Sequence, residues 1–346
     1  MSSSRLLRFM SIVLAGLGLP AHAHHSNAEY DRSVVTELEG EIVAVVWRNP
    51  HVGLTIRTEA EVAGATLWTM EAADLIGTLR RGVPEGTFQI GQWVRVAGYA
   101  STRRSGRLLV SNVLLPDGTE VLLVGNAEPR WSDRGIGGGN WVEKVPVAAS
   151  VDERSLFRVW TQAGTITPEF AADPPLTAAA RAAHANWDSF NDPALDCVAP
   201  GMPRAVTRAG PHPIEFVARS DRIELRMEYF DLERVIHMDQ VSIPEDAPLS
   251  PLGYSIGRWE GDTLVVETAR VNYPYFDIRG LEGVPQSPAV EFTERFTVSE
   301  DGSALSYDFA VTDPATFTQA LTVEGYATWR WRPGIEVRPY ECTLSD

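Results

Sequence analysis

The sequence predicts a mostly-β protein built as two barrels. Three observations carry that prediction. Short apolar–polar alternations of period two recur along nearly the whole chain of 346 residues. Turn signals such as Glu260-Gly261-Asp262 and Asp301-Gly302 separate them at hairpin spacing. Helical patterning is confined to short stretches.

The elements follow in order. Met1–Ala23 reads as a secretory signal. Arg5 and Arg8 precede the apolar run "FMSIVLAGLGL", which is too short to span a bilayer, and "AHA" at Ala21–Ala23 fits signal peptidase. Cleavage there makes His24 the mature N-terminus, and the expected destination is the periplasm or the medium. From residue 24 to 125 the strands are "TELEGEIVAVVW", with Gly40 at its centre to permit sharp coiling, then "HVGLTIRT" and "ATLWTMEA". "DLIGTLRRG" is a short helix stopped by Gly82, and "GQWVRVAGYAS" and "RLLVSNVLLPDGTEVLLV" complete the set. Five strands with a helix between the third and fourth is the order of an OB-type barrel.

Residues 126–151 read as a Gly-rich linker, because the glycines of "RWSDRGIGGGNW" lack the flanking strand and helix of a phosphate loop. Residues 152–346 read as the second domain. It opens with the strand "SLFRVWTQ" and a helix from Leu176 to about Trp187, capped by Thr177 or Asp173. After a Pro-rich crossing, "IEFVARSDRIELRMEYFDLERVIHM" alternates with breaks near Ser220 and Asp231. Hairpins then turn at Glu260-Gly261-Asp262, Asp301-Gly302 and Pro333-Gly334. About eight antiparallel strands in sequence hide their edges by closing into a barrel, which at this size holds one small ligand.

The segments "HHSNAEYD", "GEIVAVVWRNPHVGLTI" and "PDGTEV" resemble DUF6152, a family of exported bacterial proteins of unknown function. Its members begin after the signal with His-His-Ser, here His24-His25-Ser26, and carry Trp-x-Asn-Pro-His in the first hairpin, here Trp47 to His51. "DPALDCVAPGMPR", "GYSIGRWEGDTLVVET" and "VTDPATFTQ" resemble the C-terminal region of a related exported group. "SLFRVWTQ" is similar to the opening Gly-x-Trp strand of lipocalin-like barrels, with Trp160 in place and Arg158 where the glycine would stand. The resemblance implies architecture and export, and no reaction.

Net charge is −16, and loss of Arg5 and Arg8 with the leader makes the mature chain more acidic still. With no basic run to neutralise phosphates, nucleic acid is excluded as a partner. The two cysteines, Cys197 and Cys342, are expected to form one disulfide that staples the C-terminus.

Two sets of residues suggest chemistry. If His24 leads the mature chain, its amine and imidazole chelate copper together with a second ring, His25 or His51. Glu29 and Asp31 stand ready to orient a ring. A zinc site is the lesser metal reading, and an unstructured leader is the plain alternative. In the second barrel His237 and Asp239 sit two apart on a strand, with Tyr229, Glu228 and Asp231 before them and Tyr273, Tyr275, Asp277 and Arg279 in a later loop. A His–Asp pair with Tyr229 and Arg279 suits acid–base catalysis by an isomerase, lyase or hydrolase. The leading expectation is a binding protein for a small molecule held in the second barrel, with a copper site on the first; the alternative is an enzyme, either copper-dependent at His24 and His51 or acid–base at His237 and Asp239. The sequence leaves the oligomeric state open.

Overall fold

The computed structural model describes residues 29–146, 155–208 and 210–344. Strands β1 (Thr36–Val46), β2 (Gly53–Val62), β3 (Ala65–Glu71), β4 (Trp93–Ala100) and β5 (Arg107–Leu114) form the first barrel, with helix α1 (Leu75–Arg80) between β3 and β4. The order is β3-β2-β1-β4-β5, and a parallel pairing of Thr69–Glu71 with Arg107–Leu109 closes it, as in an OB barrel. Alternation places Ile42, Leu54, Ile56, Trp68, Met70, Val96 and Val110 inside. Burying each such side chain contributes about 1.5–3 kcal/mol. Gly40 does what its position suggested: a Cβ there would lie 2.4 Å from the Arg57 carbonyl oxygen, so only glycine lets β2 cross β1 this closely.

The Gly-rich segment read as a linker is docked on this barrel. Strand β6 (Glu120–Leu122) pairs with β5, and β7 (Gly135–Gly137) pairs in parallel with β6. Gly137 has φ 81°, and a Cβ would sit 2.3 Å from the Leu122 carbonyl oxygen, so the glycines serve close packing. The buried Glu120 carboxylate pins the intervening loop by accepting from the backbone N–H groups of Arg130, Trp131 and Ser132 and from Asn112 Nδ2.

The second barrel has nine strands: β8 (Val159–Thr165), β9 (Ile214–Ala218), β10 (Arg222–Met227), β11 (Leu232–His237), β12 (Tyr254–Glu260), β13 (Thr263–Ala269), then β16 (Glu291–Val298), β17 (Ala304–Thr312) and β18 (Leu321–Trp331). Pairing of β18 with β8, Trp331 opposite Trp160, closes it. Two expectations are corrected. The β11–β12 pairing is parallel, because residues 238–253 cross back instead of turning. No hairpin forms at Pro333-Gly334, because β8 already occupies the free edge of β18.

The chain after β18 instead runs to the first barrel. Asp231 accepts from the N–H groups of Tyr340 and Glu341, Thr343 N–H donates to the Asn49 carbonyl, and Arg48 donates to the Leu344 carbonyl. Cys342 is bonded to Cys197, 145 residues earlier.

The lumen, expected to hold a ligand, is filled. Phe216, Phe296, Tyr307, Phe309, Tyr326 and Trp329 occupy it. Among them lies a buried Arg234–Glu294 ion pair whose remaining groups bond to Ser255, Thr268 and Tyr307. One end of the barrel is covered by two long crossings, which carry helices α2 (Ala178–Ala185) and α3 (Arg204–Thr207) and the small hairpin β14 (Tyr275–Phe276) with β15 (Val284–Pro285). Thr177, one of the two caps the sequence offered, caps α2 by accepting from the Ala180 N–H.

Candidate functional site

A cavity of about 950 Å³ lies where the covered end of the second barrel meets the first barrel. Pro50, His51, Ala73 and Asp74 line it from one side; Gln162, Arg204, His212, Tyr229, Tyr326 and Tyr340 are among its walls on the other. Its size is that of a small-molecule site, and sites of this kind favour domain junctions.

The β9–β10 hairpin builds its most distinctive feature. Ile214 pairs with Met227, so the residues just outside the ladder, His212 and Glu228, are brought together, and Glu228 N–H donates to the Pro213 carbonyl. His212 Nδ1 lies 3.0 Å from Glu228 Oε1. The ring stacks on Tyr229 at 5.6 Å and meets the Tyr340 ring edge-on at 5.3 Å. Glu228 is fully buried, and its other partners come from two directions. Arg80, in the last turn of α1 on the first barrel, donates to both carboxylate oxygens at 2.5 and 2.7 Å, and Arg338 N–H donates at 2.9 Å. Burial pushes the Glu228 carboxyl up, but the bonds from His212 and Arg80 outweigh it and hold the group below the usual carboxylate range. The Arg80 guanidinium also lies over the Trp141 ring, 4.4 Å from its centroid.

A second cluster surrounds Arg204. Its Nη1 donates to Asp192 at 2.8 Å and to Asp277 at 3.0 Å. Burial alone would lower the Arg204 pKa, yet the acidic groups around it, Tyr229 and Asp192 first, hold it raised. Burial pushes the Asp277 carboxyl up against the opposing pull of Arg204. Arg279 donates through its backbone N–H to Tyr326 Oη and through its side chain to Thr165 Oγ1.

The residues named from sequence are divided by the fold. Tyr229 and Arg279 line the inter-barrel cavity, with Asp277. His237 lines a separate pocket of about 440 Å³ and stacks on Tyr254 at 4.6 Å. Asp239 is exposed beyond the end of β11, and among the described residues it shares no hydrogen bond with His237. His51 lines the inter-barrel cavity, with Nδ1 2.8 Å from the Ala72 carbonyl oxygen. His24 and His25 lie outside the described residues. Glu29 is buried and paired with Arg104, and Asp31 is an exposed turn residue bonded to Ser33. Sequence reasoning missed His212, Arg204 and Arg80. Counting the β9–β10 register outward from the break at Ser220 sets His212 opposite Tyr229 and Glu228 opposite Pro213, which would have brought His212 and Glu228 to the same end of the hairpin.

These features define a two-barrel protein, an OB-type barrel docked on the covered end of a nine-stranded barrel with a polar, aromatic-walled cavity at the joint. Residues 12–108 match the model of a family of unknown function, DUF6152, in agreement with the N-terminal resemblance read from the sequence. No curated protein and no solved structure matches the chain.

Proposed function

We propose that this is an exported protein that binds a small organic molecule in the cavity between its barrels. The carrying observation is the cavity itself: about 950 Å³, with walls drawn from both domains. Its aromatic side chains, Trp187, Tyr229, Phe230 and Tyr340, suit an apolar body. Its polar groups suit oxygen atoms at the ligand's edge: Gln162, Trp187 and Arg204 each carry a buried N–H that has no acceptor among the described residues. The Cys197–Cys342 bond supports an oxidising compartment. Among the described residues no helix is long and apolar enough to cross a membrane.

The test is denaturing extraction and mass spectrometry of protein purified from its host, beside a Leu195→Trp variant that fills the cavity. A molecule carried by the wild type and lost from the variant is expected. Equal recovery from both overturns the assignment to this cavity. Sequencing the mature N-terminus tests export, with His24 the expected first residue.

One observation favours a copper site as a second reading. The Tyr30 side chain interacts with Glu71, and His51 is bonded to the next residue in sequence, Ala72. His24 is six residues before Tyr30 in the sequence, a reach of at most about 20 Å. A proton on His51 Nδ1, donated to the Ala72 carbonyl, leaves Nε2 as the ligating nitrogen. Among the described residues no three His, Cys, Asp or Glu side chains converge, so this reading rests on His24 and His25. Copper titration of the processed protein tests it. Stoichiometric binding abolished by His51→Ala is the expected result, and binding unchanged in that variant overturns it.

A further inference from the structure

We infer that His212 is the general base of the inter-barrel cavity, with Glu228 and Arg80 as its positioning residues. The inference rests on the cavity being the binding site, and it adds a reaction to that reading. Three features carry it.

The first is the tautomer. Glu228 is fully buried and already accepts three N–H donors from Arg80 and Arg338. A carboxylate so held, 3.0 Å from His212 Nδ1, keeps a proton on that nitrogen and leaves the lone pair on Nε2. The second is access. Nε2 makes no bond to the protein among the described residues, is not shut away among the buried unpartnered atoms, and belongs to a ring that lines the cavity. The third is rigidity. Tyr229 stacks on one face of the ring and Tyr340 abuts it edge-on, so the imidazole has one orientation.

Elsewhere in the cavity, Arg204 and Arg279 supply cationic groups for negative charge that develops on a bound molecule. The charged and titratable groups packed around His212 are Glu228 on its own hairpin, Tyr229 and Tyr340 against the ring, and Arg80 behind Glu228. The step is a proton transfer. Nε2 takes a proton from an O–H or C–H of the bound molecule or from a water beside it, the electron pair stays on the donor atom, and Glu228 stabilises the imidazolium. Return of that proton to product or solvent completes the cycle. Arg80 comes from the first barrel, so the base is set only when both domains are docked.

The test uses the full chain and does not need the natural ligand. Long-range proton–nitrogen NMR of histidine-labelled wild-type protein at about pH 7.5 reads the tautomer; the expected result is a proton on His212 Nδ1 and none on Nε2. Hydrolysis of 4-nitrophenyl acetate then probes the base. Nε2 takes a proton from water, the water oxygen bonds to the acyl carbon, and the ester C–O bond breaks to release 4-nitrophenolate. His212→Gln is expected to lower the rate by about 10²–10⁴-fold. Glu228→Leu removes the acceptor and is expected to lose the tautomer preference, and Glu228→Gln to restore part of it. A proton on Nε2 in the wild type, or equal hydrolysis by wild type and His212→Gln, overturns the inference. Either result leaves ligand recovery from the cavity unaffected, so the two readings fail separately.

Discussion

Arg80→Met tests how the two barrels are held together. The Arg80 side chain is 7% exposed and its partner Glu228 0%, so the pair is buried, and the guanidinium fork meets both carboxylate oxygens. Removing one member of such a pair strands the other charge, which costs about 3–5 kcal/mol. Glu228 keeps two donors, His212 and the Arg338 N–H, which places the cost at the lower end, about 3 kcal/mol. At a slope of about 3 kcal/mol per molar urea the midpoint falls by about 1 M. The assay is urea unfolding followed by tryptophan emission, since Trp141 lies under the guanidinium, and by circular dichroism. The double variant Arg80→Met/Glu228→Leu removes both charges, and it is expected to cost at least about 1 kcal/mol less than the two single changes added together. A single-variant cost below about 1 kcal/mol, or strict additivity, refutes the view that this buried pair locks the joint.

Reducing Cys197–Cys342 opens a 145-residue loop and is expected to cost up to about 5 kcal/mol by chain entropy; unfolding midpoints with and without reductant, beside Cys342→Ser, measure it. Stability is expected to decline in acid. Glu224 is held at about 2, chiefly by its bond from Arg219, and Asp301 at about 2 by its bond from Ser299, so what they contribute above the ordinary carboxylate range disappears as pH falls from about 4.5 towards 2. Thermal melts between pH 7 and pH 2.5 should show Tm falling across that window and flat above it. Glu120→Ala leaves the N–H groups of Arg130, Trp131 and Ser132 without their acceptor, so trypsin should cut after Arg130 and Arg134 while the barrel core stays protected; the cleavage map checks this.

What was legible in the sequence was local. In β16 and β17 every second residue is buried, Phe292, Phe296, Tyr307 and Phe309 among them, so the inward face follows period two. The Glu260-Gly261-Asp262 and Asp301-Gly302 turns carried their own chemistry. Pairings set by tertiary competition were not legible. Pro333-Gly334 is a sound turn signal, but no edge remained for a further strand. The Gly-rich stretch reads as a flexible linker by composition, and only the buried Glu120 carboxylate and the close approach to Leu122 make it structural. Glu294 lies on the face of β16 opposite to Glu291, yet nothing local points to Arg234, 60 residues away, which gives it a buried partner. The same blindness to distance favoured His237 and Asp239, neighbours in sequence, over His212 and Glu228, which a hairpin brings together.

The Trp47-Arg48-Asn49-Pro50-His51 stretch shows why the joint is the place to look for function. As a barrel hairpin it needs only a turn, yet each of its side chains has a further task. Trp47 stacks on Phe88 at 5.6 Å and steadies the loop on its own barrel. Arg48 and Asn49 reach across to the carbonyls of Leu344 and Tyr340, and Asn49 Oδ1 also accepts from the Leu75 N–H at the start of α1, the helix that ends in Arg80. Pro50 and His51 face the cavity. The first barrel's most distinctive sequence therefore serves the second domain. It holds the C-terminal segment that Cys342 tethers, aligns the helix that presents Arg80 to Glu228, and supplies part of the cavity wall. A site that needs the hairpin of one barrel, the helix end of the same barrel and the tail of the other exists only in the assembled chain. The OB-type barrel is then a structural half of that site, and acid–base chemistry at His212 is expected only when both barrels are present.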